Sequence, residues 1–144
     1  QYMGDEPKVH IIRTPRGKLH DIVIDNFKKV FKDSGYNFFS EPILSPKIKI
    51  IDTKPDVHTF LFIKDKLRCA KTICKDHIGI LYERYVTKFS VETVVQGLAG
   101  RLTGYHDNTN SVVFTSVPAI SIYNKQYNEK FKGDFKQKSC FAIA

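Results

Sequence analysis

Short apolar runs alternate along the chain with segments of helical periodicity, and this alternation restricts the fold more than any other feature of the sequence. Two of the runs, Val9–Ile12 and Thr59–Ile63, are rich in β-branched or aromatic residues and have the length of strands. The second is apolar without a break after its threonine, which is typical of a strand buried on both faces. Between them, apolar residues at 19–32 recur at spacings of three and four, which predicts an amphipathic helix.

The remaining segments continue the alternation. Shorter apolar runs predict strands at 36–39, 48–51, 77–82 and 111–115. Helices are predicted at 67–73, from Ser90 as N-cap to about Gly104, and from Pro118 onwards. This order of strands and helices is typical of an α/β domain whose mainly parallel sheet is covered by helices on both faces.

Length and composition agree with one such domain. A chain of 144 residues with 42% hydrophobic residues can bury a core without a disulfide or a metal. We expect a linker at 1–7, the domain at 8–132 and a basic tail at 133–144. The cysteines have no metal-ligand spacing and the five histidines are scattered, so no metal site is predicted. No apolar stretch approaches the length of a membrane span, and we expect an intracellular location in the cytoplasm or nucleus.

The charge balance favours a polyanionic partner. Lysine and arginine number 23 against 15 acidic residues, which gives a net charge of +8. Nucleic acid is the commonest partner for a field of that sign, although a solvated lysine-rich surface is an equal explanation. In parallel sheets, functional residues gather at the carboxyl ends of the strands. The three loops predicted there, at 13–18, 64–72 and 83–90, are all rich in lysine or arginine.

The segment from Gln96 to Tyr105 carries the most specific signal for function. Two glycines, Gly97 and Gly100, fall inside the predicted helix, where each costs about 1 kcal/mol relative to alanine. Close approach of a nucleotide or of a partner domain would explain them, and tight helix packing is the alternative. Gln96 and Gly100 are four residues apart and are expected to share a helix face beside Arg101.

This segment resembles motif VI of superfamily 2 helicases, Gln-x-x-Gly-Arg-x-x-Arg, in which an arginine finger reaches ATP bound to another domain. The resemblance implies that Arg101 is the finger and that Gln96 and Gly100 face the nucleotide. Such an arginine stabilises the charge that develops on the transferred phosphoryl group. One extra residue separates Gln96 from Gly100, and Gly104 stands where the family has a second arginine. The similarity is therefore to a divergent viral or phage-like branch, and a viral replication site or a virion is an alternative location.

Two further segments are similar to motifs of that family. The segment 60–72 resembles motif V, which implies that Asp65 faces the nucleotide. It also implies nucleic-acid contacts by Lys64, Arg68, Lys71 and Thr72. The segment 10–15 lies where motif IV would, and Arg13 and Thr14 are candidate contacts to the phosphate backbone. Arg84, in the loop after the strand at 77–82, is a further candidate, and Tyr85 beside it is suited to stacking on a base.

The family resemblance implies a C-terminal RecA-like domain, the second of two, with a three-layer α/β fold. The chain has neither a phosphate-binding P-loop nor the acidic motif that holds magnesium. ATP and Mg²⁺ would therefore be bound mainly by an N-terminal RecA-like domain of the parent chain, and this module alone is expected to have no ATPase activity. DNA or RNA is the expected partner. A stand-alone α/β nucleic-acid-binding domain without motor activity is the alternative, and an unrelated α/β transferase or nuclease is less favoured.

Overall fold

A computed structural model describes residues 4–40, 51, 53–64, 75–86, 90–97, 99–102 and 111–132. Within these residues the chain forms five strands, three α-helices and one 3-10 helix, in the following order: β1 (Val9–Arg13), α1 (Lys18–Val30), β2 (Asn37–Ser40), β3 (Thr59–Ile63), β4 (Ile78–Tyr82), α2 (Val91–Gln96), the 3-10 helix (Ala99–Leu102), β5 (Val112–Phe114) and α3 (Val117–Asn128).

The strands form one sheet in the order β2-β3-β1-β4-β5, and every neighbouring pair is parallel. Every residue of β1 and β3 is buried, because these central strands are covered on both faces. The predicted α/β fold with a mainly parallel sheet is thus confirmed, in an arrangement consistent with a RecA-like domain.

Each face of the sheet carries its own apolar core. On one face, Phe60 and Phe62 of β3 pack with Ile24 and Phe27 of α1. On the other, Ile11 and Leu61 belong to a larger cluster against which Leu102 of the 3-10 helix packs. A helical element therefore packs on each face, as the alternation in the sequence predicts, and α2 also contacts α3.

Local capping explains where two of the helices begin. The Oγ of Ser90 accepts a hydrogen bond from the backbone N–H of Thr93 at 3.2 Å, which confirms the predicted N-cap of α2. Ser116 caps α3 in the same way, through the N–H of Ala119. Gly35 has φ 70°, a left-handed conformation that favours glycine, and it lies in the turn that follows α1.

The predicted length of α2 is wrong. The helix ends at Gln96 instead of continuing to Gly104, and the chain turns at Gly97 into the 3-10 helix. A Cβ atom at Gly97 would overlap the carbonyl oxygen of Thr93, so a side chain does not fit at this turn. The glycine is required by the way the chain folds back on α2, which periodicity does not reveal.

Several sequence predictions lie outside the described residues. These are the helix at 67–73, the tail at 133–144 and most of the strand at 48–51. Ile51, the one described residue of that predicted strand, has 3-10 rather than strand conformation. It is buried and packs in the same core as Ile11 and Leu61.

Candidate nucleic-acid interface

The topology of the sheet creates a switch point between β1 and β4. The chain leaves β1 through α1 toward β2 at one edge of the sheet, and it leaves β4 through α2 toward β5 at the other edge. Because β1 and β4 are neighbours, their carboxyl ends border the crevice in which open parallel sheets bind ligands. The residues that follow these two strands are therefore the first candidates for a functional site.

Arg13 ends β1 at this switch point, and its side chain is buried. Its Nε donates to Oε2 of Glu83 at 2.8 Å, and its Nη1 donates to the carbonyl oxygen of Lys64 at 3.1 Å. Burial raises the pKa of the Glu83 carboxyl, while the charge and hydrogen bond of Arg13 act in the opposite direction. Arg13 thus joins the carboxyl ends of β1, β3 and β4.

Thr14 is also engaged inside the fold. Its Oγ1 lies 2.5 Å from Nδ1 of His20 and 3.2 Å from the carbonyl oxygen of Ile63, and the residue is 1% exposed. Both Arg13 and Thr14 therefore hold the switch point together. The predicted contact of each with a phosphate remains a prediction that would require their side chains to leave these partners.

Arg84 and Tyr85 are the more accessible candidates at this edge. Arg84 is half-buried, and Tyr85 is 74% exposed. Both line a cavity of about 590 Å³ that runs over the ends of β4 and β5 on the α1 face of the sheet. Lys64, the other described candidate, is half-buried and follows β3.

The segment that resembles motif VI has a different local structure from the one predicted. Gln96 is the last residue of α2, and Gly100 and Arg101 belong to the 3-10 helix beyond the break, so Gln96 and Gly100 do not share one helix face. A Cβ at Gly100 would lie 2.8 Å from the carbonyl oxygen of Val95. Packing of the chain against itself is thus sufficient to explain both glycines, although a nucleotide was one predicted reason. Asp65, Arg68, Lys71 and Thr72 lie outside the described residues.

A pair of buried histidines was not predicted. Nε2 of His10, in β1, lies 3.0 Å from Nδ1 of His58, which immediately precedes β3. The two residues are 48 positions apart in the sequence, and the parallel pairing of Val9 with Thr59 brings them together. The proximity of His10 and His58 follows from the register of the strands, which the sequence pattern does not reveal. The pair lies at the amino ends of the strands, away from the switch point.

The described residues contain no group of three or more histidine, cysteine or acidic side chains able to hold a metal ion. Among them there is also no helix that is long and apolar enough to cross a membrane. Comparison of the chain with protein-family models found no match, and comparisons with the curated proteins and with the solved structures found none either.

Proposed function

We propose that the chain is the C-terminal RecA-like module of an ATP-dependent nucleic-acid helicase or translocase. In this role it supplies Arg101 as an arginine finger and contacts nucleic acid with basic side chains after the strands. The observation that carries the proposal is the switch point between β1 and β4, where a parallel sheet of a basic chain presents Arg84 and Tyr85 beside a cavity. The motif VI resemblance of the segment around Arg101 adds the role in ATP hydrolysis.

The residues of the chain indicate which part of ATP hydrolysis this module would perform and which part another domain would perform. Without a P-loop lysine and a magnesium-binding acidic motif it has no means of cradling the phosphates, so catalysis requires a second domain. An arginine finger contributes charge to the transition state of phosphoryl transfer while ground-state binding of ATP depends on the other domain. Loss of the finger should therefore reduce turnover more than ATP binding.

The decisive experiment is ATPase turnover by the full-length protein with and without single-stranded nucleic acid, for wild type and Arg101→Ala. We expect polynucleotide-stimulated turnover to fall about 10³-fold or more in the variant while ATP affinity is retained. Arg101→Lys should recover little, because lysine keeps the charge and lacks the planar fork. Lys28→Ala is the matched control, because Lys28 is exposed on α1 and away from the switch point.

Unchanged turnover in Arg101→Ala would contradict the finger. Absence of any ATPase activity in the full-length protein would contradict the motor altogether. The alternative would then apply, namely a stand-alone α/β nucleic-acid-binding domain. The exposure of Tyr85 next to Arg84 favours that alternative, because an aromatic ring and a guanidinium at a strand end can bind nucleic acid without ATP.

A further inference from the structure

One face of the sheet is only partly covered. On the α1 face, the helix packs over Phe60 and Phe62 of β3, whereas Tyr82 of β4 and Phe114 of β5 remain 39% and 38% exposed. Tyr82 and Phe114 are register partners on adjacent strands, so their rings stand side by side on this face. Together with Tyr85 they form what we call the aromatic platform.

The aromatic platform lines two cavities. The cavity of about 590 Å³ extends from it toward α1, with Ile80, Phe27 and Arg84 in its walls. A second cavity of about 390 Å³ adjoins the platform and is also bounded by Glu83, Thr115 and Ser116. All three platform residues line both cavities. A flat ligand in either cavity can therefore contact an aromatic ring.

We propose that this platform binds unpaired bases of single-stranded nucleic acid. The module then contacts the bases of the nucleic acid as well as its phosphates. The proposal rests on nucleic acid being the partner, as proposed above, and adds a base-binding subsite to it. Bases stack on tyrosine and phenylalanine irrespective of sequence, because every base has a π-face. Bases inside a duplex are already stacked on their neighbours and are not available to the platform.

The charge around the platform matches this occupant. Arg84 lines the larger cavity, and its guanidinium suits both a phosphate and the face of a base. The chain as a whole has a net charge of +8, which favours a polyanion as the binding partner over an apolar peptide with few acidic residues. Arg13, the neighbouring cation at the switch point, is paired with Glu83, so Arg84 is the other cation among the described residues that line the larger cavity.

The test compares two oligonucleotides of equal charge. Binding of the full-length protein to a labelled 15-residue oligothymidine is measured by fluorescence anisotropy, beside an abasic oligonucleotide of the same length. We expect the abasic strand to bind about tenfold more weakly, because each stacked base contributes appreciably to affinity. Tyr85→Ala should weaken oligothymidine binding by a similar factor and leave abasic binding unchanged. Tyr127→Ala, which removes an exposed tyrosine on α3, is the matched control.

A second variant provides a test that does not depend on correct folding of Tyr85→Ala. Phe114→Trp keeps an aromatic ring on the platform. The chain has no tryptophan of its own, so the emission of the new tryptophan is obtained as the difference between the spectra of the variant and the wild-type protein. Oligothymidine should quench that emission, and the abasic strand should not. Equal affinity for the two strands would overturn the base-binding platform and leave the motor proposal standing, whereas no binding of either strand would overturn both. Emission that responds to neither strand although both bind would mean that a protein segment covers the platform, which also overturns the proposal.

Discussion

His10 is held in one tautomer by the hydrogen bonds of both its ring nitrogens. The backbone N–H of Ile80 donates to Nδ1 at 3.1 Å, so the ring proton is on Nε2 and is donated to Nδ1 of His58. His58 in turn carries its proton on Nε2 and donates it to the carbonyl oxygen of Gly4 at 3.2 Å. The His10 ring cannot accept a further proton without losing a bond, because its Nδ1 already accepts from Ile80.

The His10 ring also depends on a glycine. The pairing of β1 with β4 shifts register after Val9, and a Cβ atom at Gly79 would lie 2.7 Å from Cε1 of His10. The absence of a side chain at Gly79 lets the ring approach the backbone of β4. The imidazole can therefore accept from Ile80 at a point where the ladder is irregular.

We predict that the protein loses stability as the pH falls from about 6.5 to about 4. Burial, followed by the charges of His58 and Lys8, lowers the pKa of His10 from 6.5 to about 4. The folded state then binds fewer protons than the unfolded state in this window, so the stabilisation is complete above the unfolded pKa and decreases below it. The loss should reach about 3 kcal/mol, measured as the free energy of unfolding in urea at several pH values.

Substitutions separate this effect from general acid denaturation. His10→Gln removes the titrating ring and should flatten the dependence between pH 6.5 and 4, although it lowers stability at neutral pH. His77→Gln is the control, since His77 lies next to β4 but outside the pair. An equally steep pH dependence in His10→Gln and wild type would contradict the assignment.

Individual residues were predictable where the determinant is local. Ser90 caps α2 as predicted, because the donor it satisfies is only three residues away. Arg13 is predicted from the sequence as a phosphate contact, and the sequence does not reveal its burial, because its partner Glu83 is 70 residues distant and becomes a neighbour only through the pairing of β1 with β4. A basic residue at a strand end looks the same in the sequence whether it is buried in an ion pair or exposed to solvent.

At the scale of elements, the ion pair between Arg13 and Glu83 fastens β1 to β4. The side chains are 7% and 11% exposed, so removal of one partner leaves a charge with little access to water. We predict that Arg13→Ala lowers the free energy of unfolding by about 3 kcal/mol. Replacing both residues, as Arg13→Met with Glu83→Leu, should cost less than Arg13→Ala alone, because no unpaired charge remains.

Urea denaturation of the two variants and wild type measures these costs. Lys28→Ala serves as the reference for loss of a solvated cation, and a change within about 0.5 kcal/mol is expected for it. If Arg13→Ala behaves like Lys28→Ala, the pair does not stabilise the sheet. Its role at the switch point would then be limited to shaping the cavity.

The break between α2 and the 3-10 helix yields a second prediction at this scale. Gly97→Ala should destabilise the protein more than Gly100→Ala, because its new Cβ would overlap the carbonyl oxygen of Thr93, whereas the new Cβ at position 100 would lie 2.8 Å from the carbonyl oxygen of Val95. Both variants have the same change in composition, so the second is the control for the first. Thermal unfolding followed by circular dichroism measures the difference, and equal melting temperatures would contradict the packing explanation of Gly97.

Elements were predictable in proportion to how strongly burial shapes their sequence. β3 was predicted with its observed bounds, since a strand covered on both faces reads as an uninterrupted apolar run. The end of α2 was missed because apolar spacing continues through Leu98 and Leu102, although the backbone turns at Gly97. Leu102 packs on the sheet from the 3-10 helix. The core therefore needs an apolar residue at this position, as the spacing indicates, although the local structure is not an α-helix.

At the scale of the whole molecule, the fold class followed from the alternation of strands and helices, while the strand order did not. The position of β2 at an edge beyond β3, and hence the switch point between β1 and β4, depends on which crossovers the chain takes. The candidate site was therefore predictable as a set of loops at one edge of the sheet. Which of their side chains are buried and which are open to a ligand required the three-dimensional arrangement.

The net charge of +8 leads to the last prediction, which concerns the binding of nucleic acid as a function of salt. Each phosphate neutralised on a single strand contributes about −0.7 to the slope of log affinity against log salt. With about three such contacts the slope is about −2, and affinity should fall more than tenfold between roughly 50 and 200 mM salt. Arg84→Ala should make the slope shallower by about 0.7 if its guanidinium meets a phosphate, whereas Tyr85→Ala should lower affinity at every salt concentration without changing the slope. Anisotropy titrations at four salt concentrations measure both quantities. A slope that is near zero for wild type would mean that the positive charge of this chain is a solvated surface with no part in binding.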